Sequence, residues 1–316
     1  MTRMLRRIAR TALGATAIVT VAAAQADTPG NPIFPGADPS AITVGKELWI
    51  FPTRAGQADH FEAWSSTDGK SWRQRGTTFS LTDAQWIADD GATRHGLWAP
   101  DVRRVGQHYV LYYSVGPQNP TPSRLGVAVA DRPEGTYRDT GKPLLTGGNG
   151  FEAIDPMMFT DPKTGTHYLY AGGSAGAKLR LFVLDADATA IDHEVNVAQP
   201  PNFTEGAYMH ERDGTYYLSY SHGVWKDSTY SVHYATAPSP TGPWTYRGAI
   251  LTSDSTHQGP GHHAFVRNPH GQWVIVYHRW ESPPTGGTPN GTRQVAIEPV
   301  RYAADGTILP ITMTDR

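Results

Sequence analysis

Val105-Gly106-Gln107-His108-Tyr109-Val110-Leu111-Tyr112 decides the fold. A glycine, which tolerates the positive φ of a tight turn, opens directly into a run of aromatic and β-branched residues with no helical period; this pattern predicts a β-hairpin. The pattern recurs four times: Val44-Gly45-Lys46-Glu47-Leu48-Trp49-Ile50-Phe51, Thr164-Gly165-Thr166-His167-Tyr168-Leu169-Tyr170, Asp213-Gly214-Thr215-Tyr216-Tyr217-Leu218-Ser219-Tyr220 and His270-Gly271-Gln272-Trp273-Val274-Ile275-Val276-Tyr277. The hairpin glycines are 61, 59, 49 and 57 residues apart. Further turns, such as Ser66-Thr67-Asp68-Gly69-Lys70-Ser71-Trp72 and Pro238-Ser239-Pro240-Thr241-Gly242-Pro243-Trp244, bring each unit to four strands. Five four-stranded units predict an all-β, five-bladed β-propeller, and a sandwich leaves the fivefold spacing unexplained. One domain is expected over residues 27–316, with residues 283–291 a Pro/Gly loop between strands of the last unit.

Composition agrees. Gly and Pro supply 33 and 25 of 316 residues, about 18% against roughly 12% in average proteins, which argues against dominant long helices. The aromatic load of 9 Trp, 15 Tyr and 9 Phe suits strands and sugar-stacking surfaces. With no cysteine, disulfides, thiolate catalysis and sulfur-ligated metals are excluded.

Residues 1–26 read as a secretory signal peptide: Arg3, Arg6, Arg7 and Arg10 precede an apolar run that ends in Ala24-Gln25-Ala26. That run is shorter than the roughly 20 residues that span a bilayer, so a secreted protein, periplasmic or extracellular, is expected rather than a membrane protein. Without those four arginines, 23 basic side chains face 29 acidic ones. The resulting formal charge of −6 speaks against nucleic-acid backbones and anionic lipid as partners. Nothing in the sequence calls for an organic cofactor or an obligate protein partner.

In a propeller the first strand of each blade lines the axis, so polar residues just ahead of the hairpins should converge. They are Asp38, Asp101, Asp155, Glu205 and His262, at 7, 5, 10, 9 and 9 residues before the hairpin glycines. For one isolated Asp-Pro the simpler reading is a turn cap, and Asp161-Pro162, at a hairpin tip, is expected to be only that. Asp101, after Trp98-Ala99-Pro100, is also read as structural. Glu152 has the opposite strand parity to Asp155 and should point elsewhere. Three carboxylates, Asp38, Asp155 and Glu205, around one opening suit hydrolysis of a glycosidic bond, in which one protonates the leaving oxygen and another activates water. Crowding should keep one carboxyl protonated near neutral pH. Trp98, Trp86 and Trp225 are candidate sugar platforms, and Trp98 is the preferred one. His257-Gln258-Gly259-Pro260-Gly261-His262-His263 invites a metal reading, but the ligands for a closed zinc site are missing. His262 is read as a pocket residue that contacts an axial ion or water, with a purely structural role as the alternative.

These residues resemble glycoside hydrolase family 43 over nearly the whole chain after residue 26. The resemblance is carried by Gly36-Ala37-Asp38-Pro39, Trp98-Ala99-Pro100-Asp101, Ile154-Asp155-Pro156, Thr204-Glu205-Gly206, Gly259-Pro260-Gly261-His262-His263-Ala264 and Arg293-Gln294-Val295 in this order. It implies a five-bladed propeller that inverts the anomeric centre, with Asp38 as general base, Asp155 as pKa modulator and orienter, and Glu205 as general acid. It also implies Arg293 at the floor of the sugar pocket and His262 beside an axial Ca2+ or other cation, or a water. Relatives often carry Glu-Gly-Pro and Gly-His-His-Ser where this sequence has Ala207 and Ala264; no functional group is lost. The sequence ends soon after the fifth unit, without the β-sandwich appended to typical β-xylosidases. The expectation is therefore an exo-acting α-L-arabinofuranosidase on arabinan or arabinoxylan, with β-xylosidase, endo-arabinanase and β-galactosidase as alternatives. A retaining fructan hydrolase is disfavoured, because its Asn-Asp-Pro-Asn-Gly and Arg-Asp-Pro motifs are missing. A non-catalytic carbohydrate-binding propeller has no use for three axial carboxylates with Arg293.

Overall fold

The computed structural model describes residues 30–174, 176–285 and 287–315; the expected signal peptide lies outside them. A short strand, β1 (Phe34–Pro35), is followed by the first blade: β2 (Ala37–Val44), β3 (Glu47–Thr53), β4 (His60–Ser66) and β5 (Arg73–Ser80). The second blade holds β6 (Leu97–Val105), β7 (His108–Val115) and β8 (Arg124–Ala130), with β9 (Arg138–Asp139) and β10 (Leu145–Thr146) both pairing β8. The third runs β11 (Met157–Thr160), β12 (His167–Ala171), β13 (Arg180–Leu184) and β14 (Ile191–Val195). The fourth runs β15 (Glu205–Arg212), β16 (Thr215–His222), β17 (Ser231–Ala237) and β18 (Thr245–Leu251). The fifth contains β19 (Gln258–Arg267), β20 (Trp273–Trp280) and β21 (Gln294–Pro299). All pairings within the blades are antiparallel, and the five sheets form the expected five-bladed propeller.

The second strands explain why the hairpin runs are so continuously apolar. β7 and β20 are buried along nearly their whole length, because both faces pack against neighbouring blades. Tyr113 lies among Phe61, Phe79 and Trp86 from other segments, and Tyr216, Tyr217 and Tyr234 fill the space around the fourth blade. Each such ring contributes about 1.5–3 kcal/mol of burial. Outer strands β5 and β18 are largely exposed and carry polar residues.

Besides the fifth strand of the second blade, the last blade departs from four sequential strands per unit. The outer strand of the fifth blade is β1, which pairs Phe34 with Val295 and Pro35 with Gln294. Flanking bonds from Ile33 N–H to Val295 O (2.9 Å) and Gly36 N–H to Arg293 O (3.0 Å) extend this seam. Ring closure therefore sets residue 36 against residue 293, and so brings Asp38 and Arg293, 255 positions apart in the chain, to one place.

Candidate active site

Every blade opens toward the axis with a residue in the left-handed backbone region: Asp38 (φ 45°), Ala99 (45°), Asp155 (53°), Gly206 (61°) and His262 (38°). Four of these sit in β-bulges. Ala37 pairs Thr53 and Ser40 pairs Phe51, so three steps on β2 match two on β3; the same slip occurs at Trp98/Asp101, Glu205/Tyr208 and Gly261/Ala264. A bulge re-aims a side chain that regular pleating sends into a neighbouring blade. Holding a non-glycine residue left-handed costs about 1–2 kcal/mol, so four such residues around one axis mark a built site. Asp155 falls just before β11 rather than within a first strand.

Asp38, Trp98, Asp155, Glu205, His262 and Arg293, all expected from sequence, line one cleft of about 380 Å3. Gln118, from the loop after β7, lines it as well. Asp101 does not face this cleft. Its carboxylate is held by Arg103 (Nη2 to Oδ1, 2.7 Å) and accepts the Met158 N–H at 2.8 Å. Glu152 turns away and accepts from Ser123, and Asp161 accepts the Lys163 N–H as a turn residue.

The three cleft carboxyls have unlike surroundings. At Asp38, burial favours the neutral form, but Arg293 (Nη1 to Oδ1, 2.9 Å) and His262 outweigh it and hold the carboxyl well below the usual carboxylate range. Asp155 goes the other way. Burial pushes it up to about 7, the nearby Glu205 and Asp38 charges add to that, and His262, 3.6 Å from Oδ2, offsets only part. Its Oδ2 accepts the Gly206 N–H at 3.1 Å, which ties it to the residue next to Glu205. Glu205 takes one hydroxyl on each oxygen: Tyr230 donates to Oε1 at 2.8 Å and Ser174 to Oε2 at 2.9 Å. A side chain on Gly173 would run into the Glu205 Cβ, so only glycine fits there.

Trp98 lies against Gly116, where a Cβ would collide with its six-membered ring, and it lines the cleft. Trp86 is not a platform: it is 4% exposed, stacks on Tyr113, donates to Asp139 at 3.0 Å and carries the Arg124 guanidinium 5.0 Å from its centroid. Trp225 does reach the cleft. Arg293 lies 4.7 Å and Lys226 4.8 Å from its ring, and Trp280 stacks with it, so it braces Arg293 as well as forming a wall.

The family model for glycosyl hydrolases family 43 matches residues 29–308. The chain belongs to family 43 of the glycoside hydrolases. It is a glycosidase, cleaving glycosidic bonds by hydrolysis. The hydrolase is 35% identical to a β-D-galactofuranosidase, XynD, of Aspergillus niger over 90% of this chain and 85% of that protein. It is 27% identical to a xylosidase/arabinosidase of Bacteroides ovatus, over 88% and 95% of the two chains. Among solved structures it resembles a family 43 enzyme of Xanthomonas citri complexed with xylotriose, with a TM-score of 0.69 and 26% identity over 88% of this chain and 92% of that one.

Beneath the cleft of the hydrolase, Asp38, Asp101, Asp155, His262 and His263 surround a void of about 20 Å3 on the axis. That is room for one water-sized species, which needs about 10–15 Å3. An imidazole and carboxylate oxygens are donors that suit a small cation, so the residues fit the axial ion the family implies. Among the described residues the group whose ligand atoms converge, within 4.8 Å of one another, is not this axial set but His257, Glu281 and Asp315, and there Arg279 already pairs with both carboxylates. Sequence reasoning missed His278, Tyr230 and Ser174. Tyr230 and Ser174 lie in loops without a motif, whereas His278 is hidden inside an apolar strand.

Proposed function

We propose that this hydrolase is exported and removes terminal α-L-arabinofuranosyl residues from arabinan or arabinoxylan with inversion of configuration. The supporting observation is the convergence of Asp38, Asp155 and Glu205 with Arg293 on one cleft whose carboxyls differ in charge preference. Asp38, kept ionised by Arg293, activates the attacking water as general base. Glu205, oriented by Tyr230 and Ser174, protonates the leaving oxygen. Asp155, about half protonated near pH 7 and bonded to the Gly206 amide, orients Glu205 and adjusts its charge. Trp98 offers the sugar an apolar face. An axial cation, where bound beside His262, supplies positive charge beneath the carboxylates. About 380 Å3 lies at the small end of ligand pockets, roughly 300–1,000 Å3, which favours a terminal residue over a long run of polymer. The leader-like residues 1–26 support export.

A second reading has its own support in the 35% identity to a β-D-galactofuranosidase. β-D-Galactofuranose and α-L-arabinofuranose share their ring configuration and differ by one hydroxymethyl group beyond the ring, so the same carboxylates serve both. Hydrolysis rates on p-nitrophenyl α-L-arabinofuranoside, β-D-galactofuranoside and β-D-xyloside decide between them, together with product sizes from linear arabinan. The arabinofuranoside should be fastest and free arabinose the sole early product. A faster galactofuranoside selects the second reading, and oligosaccharide products overturn exo action.

A further inference from the structure

The left-handed residues at the axis share a mode of support. Ala99 donates its backbone N–H to Thr53 Oγ1 (2.7 Å), Asp155 to Ser114 Oγ (2.9 Å) and His262 to Ser221 Oγ (2.8 Å). In each case the acceptor lies toward the end of the second strand of the preceding blade. Gly206 breaks the series, because Gly173 stands near that place and the Asp155 carboxylate takes the N–H instead. At Asp38 the acceptor is an imidazole: His278 Nδ1, on β20, receives the Asp38 N–H at 3.0 Å.

This bond fixes the tautomer of His278. Nδ1 accepts and carries no proton, so the proton is on Nε2. His278 is fully buried, and Nε2 meets no acceptor among the described residues. A buried N–H without a partner is a cost that a serine or threonine at this place avoids. The imidazole gives in return a second contact to the same residue. Nδ1 lies 3.3 Å from Asp38 Oδ1, and its lone pair disfavours rotation of the carboxylate toward β20 and leaves Oδ1 on Arg293. The Tyr230 ring lies nearly parallel to the imidazole, 9° between planes and 5.8 Å between centroids, and keeps its plane. The same Tyr230 donates to Glu205, so one packed pair supports residues on both sides of the cleft.

We propose that His278 is the positioning residue of the general base: its Nδ1 holds the Asp38 amide and thereby the left-handed turn that aims the carboxylate at the attacking water. The inference rests on the reading of Asp38 as base.

Two variants of similar polarity test it, because Asn places an oxygen where Nδ1 stands and Gln places it one bond further out. His278→Asn should keep kcat within about fivefold of the parent, while His278→Gln should lower it about 100-fold with KM changed less than about threefold. The loss in His278→Gln should be equal for aryl glycosides with good and poor leaving groups, since the base acts on water. Equal kcat for the two variants, a loss carried by KM, or a Gln variant that is unfolded at the assay temperature by circular dichroism overturns the proposal. Asp38→Asn separates the two claims: if it stays active the base assignment fails, and if it is inactive while His278→Gln is unaffected, only the role of His278 fails.

Discussion

Asp101 and Asp155 stand on neighbouring blades, both beside the axis and both next to a proline, and they are 3% and 8% exposed. Burial does not distinguish them; their partners do. Asp101 faces a guanidinium in two-point contact and a backbone amide, which satisfy its charge within its own blade and the next. Asp155 faces two other carboxylates and a histidine 3.6 Å away, with no guanidinium paired to it among the described residues, and burial, added to by those two charges, pushes it up to about 7. A paired buried carboxylate fastens a fold, whereas one crowded by like charge holds a proton that chemistry can use. Asp38 completes the contrast, since its Arg293 arrives through the β1–β21 seam and keeps it charged.

The largest effects should come from the residues that act on the bond. Asp38→Asn and Glu205→Gln should each lower kcat on polysaccharide by about 1,000-fold or more. For Glu205→Gln the loss should shrink markedly on a p-nitrophenyl glycoside, because p-nitrophenolate barely needs protonation. Equal losses on both substrates would remove Glu205 from the acid role.

Asp155→Asn and Asp101→Asn should give opposite signatures. Asp155→Asn should lower kcat roughly 10- to 100-fold and alter the pH–rate profile near neutrality, and it should stabilise the fold at pH 7. The folded protein keeps on Asp155 a proton that the unfolded chain releases near 3.8, so this residue's contribution is favourable at low pH and is lost as pH rises from about 4 to about 7. Melting temperatures of parent and variant should diverge across that window and run parallel elsewhere; parallel curves throughout would deny the raised pKa. Asp101→Asn leaves Arg103 buried without its carboxylate and should cost about 3–5 kcal/mol by denaturant titration. Its kcat, measured where the variant is folded, should change less than about tenfold. A large kcat loss with little destabilisation would exchange the two roles.

Much of this was legible in the sequence because the hairpin glycines and the buried second strands leave a one-dimensional signature, and because Asp38-Pro39, Asp155-Pro156 and Glu205-Gly206 stand in local contexts that interrupt it. β1 was not legible: two residues, Phe34 and Pro35, carry no pattern, and their pairing with β21 spans the whole chain. Trp86 and Trp225 could not be sorted, since which tryptophan fills a blade interface depends on neighbours far away in sequence. His278 sits within Tyr277-His278-Arg279-Trp280 and reads as part of a buried strand. A signal did exist: His278 and Ser221 both stand seven residues after their hairpin glycines, Gly271 and Gly214, and both accept an N–H from the next blade.

The central claim is that Asp38 directs water at the anomeric carbon while Glu205 releases the leaving group, in a single displacement. Such a geometry needs a water between base and sugar and carboxyls about 6.5–9.5 Å apart, where a nucleophile requires about 5–5.5 Å. Proton NMR during the first minutes of hydrolysis of an α-L-arabinofuranoside tests this most directly. The β-anomer of arabinose should appear first, followed by slow mutarotation. Initial release of the α-anomer, or a sugar covalently attached to Asp38 in mass spectra of the enzyme, would contradict the account.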